Sequence, residues 1–502
     1  MKSSCSLCPS GMRTQCPALN APICGPCCGS KRNISIKCMA DCRFNPFSPL
    51  NYNGWLRIDS ALSQKMMKYL ARFYDDIAFT KTIREMMYAE DSPHAYQMGG
   101  AAAACYLFFR KPLRDRRIVA SVWQQEGWEG LDNDERSMME FRLNAAPAIV
   151  EVQKVLDHQS IECRNLLQPE RGAFIVLDRG MAKNISRFTR LWMWLTDYPY
   201  FSRPACDPLE VPENVLHSLM EKIFADTLQE RNKRNGISRD EILSRNFGRY
   251  ARFICDESRK ARERLLNAMD FYECKAFYKI IGNREDVRRI LDSKPDFQFD
   301  DAAKPDEGPG PGLSYGWLRC GESKTIEKKM NPSFHHDAND EIVGVLGHIF
   351  LGECDFIFRT MSRLKFSFAK EMIRKYWGNL LEFHRESVVD VAKIMAQRTK
   401  EGNPVITKQN PTLADHPLIP KEVEQKIMIE HYRSHYEKFL DDSIPALDGM
   451  TPRKSAKLAK MRPRLLELMK GHVHNIDTMR KNSGFPISID WVLDELGLSE
   501  LK

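Results

Sequence analysis

Eight cysteines crowd into the first 42 residues, spaced Cys5-x2-Cys8-x7-Cys16-x7-Cys24-x2-Cys27-Cys28-x9-Cys38-x3-Cys42. Two thiolates held two residues apart on a tight turn grip a tetrahedral ion from one side, and zinc closes its shell with two such pairs. Eight thiols therefore match two sites. Pairs that alternate along the chain favour a cross-braced arrangement, in which the first and third pairs share a metal. On this reading Cys5, Cys8 and Cys24, with Cys27 or Cys28, hold one ion. Cys16, the other of Cys27 and Cys28, Cys38 and Cys42 hold the second. No ligand position is left for water, so both zinc ions are structural. The segment has few large apolar residues, and metal binding must supply most of its folding energy. Disulfides and an iron–sulfur cluster are the alternative fates of these thiols. The other seven of the 15 cysteines are scattered singly, which fits small buried hydrophobes in a reducing cytoplasm.

Elsewhere the chemistry-bearing residues do not converge. His335-His336-Asp337 could touch a metal, but three adjacent residues rarely close on one ion, and a polar loop is the expectation. His431-x3-His435 puts two imidazoles on one helical face; a zincin needs Glu directly after the first His, and Tyr432 stands there. No Ser-His-Asp spacing, phosphate loop or kinase signature appears. Cys105 and Cys354 sit in apolar contexts that raise a thiol's pKa, which argues against a cysteine nucleophile. No catalytic residue is assigned.

The elements that must carry these residues divide a 502-residue chain, too long for one core, into several pieces. Leu62, Met66, Met67, Leu70, Phe73 and Tyr74 recur at helical spacing, and the small residues Gly99 to Ala104 predict close helix packing. Short β-like runs follow at Ile149–Val152, Ile161–Cys163, Ala173–Leu177 and Leu191–Leu195, enough for a small barrel or curled sheet. Trp192 and Trp194 alternate there and read as barrel core, with surface stacking the alternative. Ser238-x-x-Glu241 opens a helix dense in Arg239, Arg245, Arg249, Arg252, Arg259, Lys260, Arg262 and Arg264. Proline, glycine and acids fill 294–313, read as a linker. Gly352-Glu353 joins two apolar runs as a hairpin, and a long helix through Phe366, Phe368, Met372, Tyr376, Leu380 and Phe383 follows.

The fold class expected is α+β and multi-domain: a cross-braced zinc finger over 1–50, a helical domain over 58–147 and a small β module over 148–211. A helical segment over 212–293, the linker over 294–313, a hairpin–helix unit over 314–400 and a C-terminal helical domain over 421–502 complete it. The net charge of +8 is mild. Its unevenness matters more: Lys2, Arg13, Lys31, Arg32, Lys37 and Arg43 face only Asp41 in the first 50 residues, and a second basic run spans Arg453 to Arg464. No apolar stretch runs long enough for a membrane helix, and Met1-Lys2 leads into cysteines instead of a signal peptide's apolar run.

Ile23-Cys24-Gly25-Pro26-Cys27-Cys28-Gly29, with Lys31-Arg32 after it and Cys38-x3-Cys42 closing, resembles a short zinc module at the start of bacterial multi-domain proteins, some of which carry a SEC-C-type knuckle. That knuckle's C-terminal CxCxSGxxxxxC pattern is missing from this sequence. Residues Pro445-Ala446-Leu447-Asp448-Gly449-Met450-Thr451-Pro452-Arg453 look like the toxin-binding part of MbcA/ParS/Xre-type antitoxins, without their helix-turn-helix domain. These resemblances imply a bacterial origin and a domain order, and name no reaction.

The function expected is a non-enzymatic, zinc-stabilised adaptor in a bacterial cytoplasm. It binds a protein partner through Arg453, Lys454, Lys457, Lys460, Arg462 and Arg464. A nucleic-acid-associated regulator or defence accessory, using the basic finger and the arginine-rich helix, is the second reading. A metal-dependent nuclease is the third.

Overall fold

The computed structural model describes residues 4–11, 14–89, 92–233, 236–268, 272–302, 309–323, 345–391, 394 and 421–502. The fold is α+β and multi-domain, with the cysteine cluster at the N-terminus. Two compact units make it up: Met1–Ser258 together with Asp415–Lys502, and Arg259–Ala414.

The first unit begins with a hairpin, β1 (Thr14–Cys16) and β2 (Ala21–Ile23), and the short helix α1 (Gly25–Lys31). Five helices follow, α2 (Tyr52–Leu70), α3 (Asp76–Met86), α4 (Pro93–Phe109), α5 (Val119–Gln125) and α6 (Asn133–Arg142). Gly99 is required where α4 meets α3: a methyl group there would lie 2.7 Å from Met87 Cγ and 3.1 Å from the Ile83 carbonyl. The small-residue run thus marks the close helix crossing it predicts.

Six strands come next, β3 (Ala146–Val155), β4 (Ser160–Asn165), β5 (Ala173–Leu177), β6 (Arg190–Asp197), β7 (Ser202–Pro204) and β8 (Leu209–Glu210), with α7 (Arg179–Asn184) between β5 and β6. The order β3-β4-β5-β7-β6 closes through β3–β6 pairing into a five-stranded barrel, and β8 adds to β6. Val150, Val152, Ile161, Cys163, Leu191, Met193 and Leu195 fill its interior. Trp192 and Trp194 are fully buried but face outward, into the helical core with Trp55, Phe247 and Tyr250. They are core, as expected, though not barrel interior. The strand β6 is apolar on both faces because helices cover its outer side.

Helices α8 (Glu213–Lys233), α9 (Arg239–Arg245) and α10 (Phe247–Ala268) complete that cover. The single arginine-rich helix of the sequence reading is two helices, broken at Asn246. Ser238 Oγ does cap the first, accepting from the Glu241 amide at 3.1 Å.

In the second unit β9 (Tyr272–Ile280) leads through α11 (Arg284–Ser293) to a meander of β10 (Phe297–Ala302), β11 (Leu313–Leu318), β12 (Val345–Leu351) and β13 (Asp355–Thr360). Helix α12 (Arg363–Trp377) then returns the chain to β14 (Leu381–Asp390). The antiparallel order is β10-β11-β12-β13-β9-β14. Tyr278, Trp317, Phe356 and Phe358 form a core with Phe366, Met372 and Trp377. The β12–β13 hairpin stands where Gly352-Glu353 places it. Three expectations are corrected. The stretch read as linker contains β10, paired with β11. The stretch read as helical to 293 contains β9. The helix after the hairpin ends at Trp377, and Phe383 lies on β14. Strands β9 and β14 pair with each other across about a hundred residues of chain, beyond what local composition reports, whereas β10 pairs with the next strand, β11.

The C-terminal helices are α13 (Lys421–Phe439), α14 (Pro452–Ala456), α15 (Arg462–Ser483) and α16 (Asp490–Glu495). They enclose their own core, including Leu440, Leu465, Met469, Val473, Val492 and Leu498. Within it Tyr436 Oη and His472 Nδ1 lie 3.0 Å apart. Burial first, then the charge of His435, pushes the His472 pKa down to about 4. An unfolded histidine takes its proton near pH 6.5, so the unfolded chain binds more protons between those values. Stability is therefore full above about pH 6.5 and falls as pH drops towards 4. Thermal melts from pH 7 to 4 should show this loss, and His472→Gln should flatten it.

Candidate metal centre

The turn closed by the Ser4–Gly11 bridge and the start of α1 position four of the thiols, Cys5, Cys8, Cys24 and Cys27. Cys24 is the N-cap of α1, its Sγ accepting from the Cys27 amide at 3.5 Å. Its own amide donates to Cys5 Sγ at 3.3 Å, and the Leu7 amide donates to the same sulfur at 3.4 Å. Cys8 Sγ and Cys24 Sγ stand 3.6 Å apart. The four sulfurs of Cys5, Cys8, Cys24 and Cys27 all lie within 4.8 Å of one another and could hold one metal ion. Four thiolates about 2.3 Å from one zinc would have similar separations. The first and third pairs thus come together, as cross-bracing requires.

The thiols of this cluster are shifted in opposite directions. Burial raises the Cys5 thiol, but the amides of Cys24 and Leu7 stabilise its thiolate and bring it down to about 6. Hydrogen bonding with Cys24, then with Cys8, pushes Cys27 up to about 12.

Adjacent residues on a helix point about 100° apart, so Cys28 faces away from Cys27. It lines a cavity of about 370 Å³ with Cys16, Cys38, Cys42, Ile36 and Phe44, bordered also by Cys24. Burial, more than the nearby Cys42 and Cys16, raises the Cys28 thiol against the opposing pull of Arg32. Burial also raises Cys38, against the Asn33 amide.

The module is joined to the helices behind it. Arg32 forks onto Asp134 of α6, with Nε 2.6 Å from Oδ1, and donates to the Phe44 carbonyl at 3.1 Å. Asn133 Nδ2 donates to the Arg32 carbonyl at 3.3 Å, and Tyr200 Oη donates to the Cys38 carbonyl. Buried Asn45 accepts from Asn33 at 2.8 Å and from the Phe47 amide at 3.0 Å. Phe47 then stacks on Tyr198 and meets Phe141 edge-on. Asp134, Tyr200 and Asn45 are partners that cysteine spacing does not reveal.

The other candidates are placed as follows. His431 and His435 are exposed on α13, and no third ligand joins them among the described residues. His335, His336 and Asp337 lie outside the described residues. Thr451 caps α14 with Pro452 at its first turn, as the sequence predicts. Of the basic run, Arg453 pairs with Asp441 and with Glu495 at 2.5 Å, Arg462 with Glu500 at 2.5 Å, and Arg464 with Asp448 at 2.5 Å. Lys454, Lys457 and Lys460 are exposed beside Leu458. In the arginine-rich helices Arg239 donates to the Leu167 carbonyl at 2.7 Å, Arg245 pairs with Glu230 at 2.6 Å, and Arg252 donates to the Glu85 carbonyl at 3.1 Å. Among the described residues no helix is long and apolar enough to cross a membrane. No family model, curated protein or solved structure matches the chain.

Proposed function

We propose that the protein is a non-enzymatic adaptor whose N-terminal module holds two structural zinc ions and whose C-terminal turn and helix engage a protein partner. The observation that carries this reading is the set Cys5, Cys8, Cys24 and Cys27, whose sulfurs lie within 4.8 Å of one another, and the other four cysteines line a cavity that Cys24 borders. A tetrahedral ion in either set would have no position left for a reacting water. The resemblance to bacterial zinc-module proteins supports the same assignment.

Zinc analysis of gently purified protein should return about two ions per chain, from four thiolates per ion. One ion or fewer would overturn the second site. The partner surface is narrower than the basic run suggests, because Arg453, Arg462 and Arg464 serve ion pairs inside the C-terminal helices. Lys454, Lys457 and Lys460 around exposed Leu458 are the remaining set, suited to an acidic protein surface. Reversing these three lysines to Glu should abolish capture of the partner and change stability by no more than about 1 kcal/mol. Capture that survives the reversal would remove this surface from consideration.

A further inference from the structure

The segment Ile185–Arg190, which links α7 to the first residue of β6, meets α15 through polar groups and a single aromatic ring. On α15 the residues that reach it are Glu467, Lys470, His474, Asp477, Thr478 and Lys481, a stripe at helical spacing. Four charges close a ring. Arg190 Nε lies 2.8 Å from Glu151 Oε2 and Arg190 Nη2 lies 2.8 Å from Glu467 Oε2. Lys470 Nζ lies 2.8 Å from Glu467 and 2.9 Å from Glu151 Oε1. Arg187 spans both oxygens of Asp477 at 2.7 and 3.0 Å and donates to the Leu501 carbonyl at 3.0 Å. Ser186 and Thr478 hydroxyls meet at 2.9 Å, and Lys481 donates to the Ile185 carbonyl.

Phe188 is the aromatic ring. It is buried in the core of the C-terminal helices, where the other buried members run from Tyr436 to Leu501. Its amide is held by the barrel, donating to the Val152 carbonyl at 2.7 Å. Its φ of 62° lies in the left-handed region, where a bulky side chain is strained. Such a conformation persists only while its surroundings enforce it.

Three properties coincide. The C-terminal helices and the barrel each have a core of their own, and Phe188 is the one barrel-side residue in the buried core of the C-terminal helices. The contact between them is polar, like interfaces across which domains move. Buried ion pairs fix a geometry strongly while adding little net stability over apolar packing. We propose that the C-terminal helices are a hinged cover, which opens from the 185–190 loop while both bodies stay folded, with Phe188 as the strained knob that seats it. Opening lets the Phe188 backbone relax; the ionic ring and the Arg187–Asp477 fork draw the cover shut. The device is poised between the two.

The test is hydroxyl-radical labelling of the full-length, zinc-loaded protein across urea concentrations below the global transition. Phe188 should become labelled at lower urea than Trp192 and Trp194 of the main core and Met469 of the cover's core. The variant Asp477→Asn with Glu467→Gln should raise Phe188 labelling at least tenfold without urea, leaving Trp192, Trp194 and Met469 protected. Labelling of Phe188 only together with Trp192 in the unmodified protein would overturn the proposal, as would unchanged labelling in a folded variant. The urea series on the unmodified chain decides the matter even if the variant fails to fold.

Discussion

Replacing Cys38 by serine is expected to cost one metal ion and to loosen the helices behind the cysteine module, whereas Cys5→Ser costs the other ion and leaves those helices intact. The asymmetry comes from what each set touches. Cys38 offers its carbonyl to Tyr200, and Arg32, which lies against Cys28, forks onto Asp134. Losing the second set frees both tethers. Two hydrogen bonds, one of them to a charged group, are together worth about 2–4 kcal/mol. The first set holds Cys5, Cys8, Cys24 and Cys27 to one another. Metal analysis with calorimetry on both variants gives the answer. An equal drop in the main transition for both, or a drop for neither, would show that the second set does not join the module to the body.

A larger loss is expected at Trp192. Its ring stacks on Phe247 at 5.0 Å, meets Tyr250 edge-on at 5.8 Å, and donates from Nε1 to the Phe247 carbonyl at 3.3 Å. Truncating a fully buried tryptophan removes its transfer free energy and leaves a cavity, so Trp192→Ala should cost about 3–5 kcal/mol. In a body of this size that lowers Tm on the order of 10 °C. Trp192→Phe should recover much of the loss. A change below about 1 kcal/mol would mean that the ring faces solvent and is free to stack on a ligand.

The first ligand set is legible from spacing because metal ligands come from tight local turns, and Cys5-x2-Cys8 and Cys24-x2-Cys27 are such turns. The barrel strands are legible for a similar reason, since β-branched and aromatic runs bounded by Gly, Pro and Asp are local. What Trp192 and Trp194 face is not legible. On β6 both faces are apolar, so alternation cannot tell the barrel interior from the helix-covered side. The surface is hidden in the same way. Arg453 and Arg462 look like free cations until Glu495 and Glu500, 42 and 38 residues further on, fold back onto them. Strand β10 lies in a stretch of Pro, Gly and Asp, and only its pairing with β11 makes it a strand.

The first unit is discontinuous: the chain leaves it after Ser258 and returns at Asp415. On a ribosome the barrel is therefore finished long before α15 exists. Ile476 lies 288 residues beyond Phe188, a stretch that takes roughly 15–60 s to synthesise at ordinary rates. Throughout that interval the 185–190 loop, with its aromatic knob and two arginines, faces whatever else is at the tunnel exit. A nascent chain in this state has an adhesive site that the finished protein conceals.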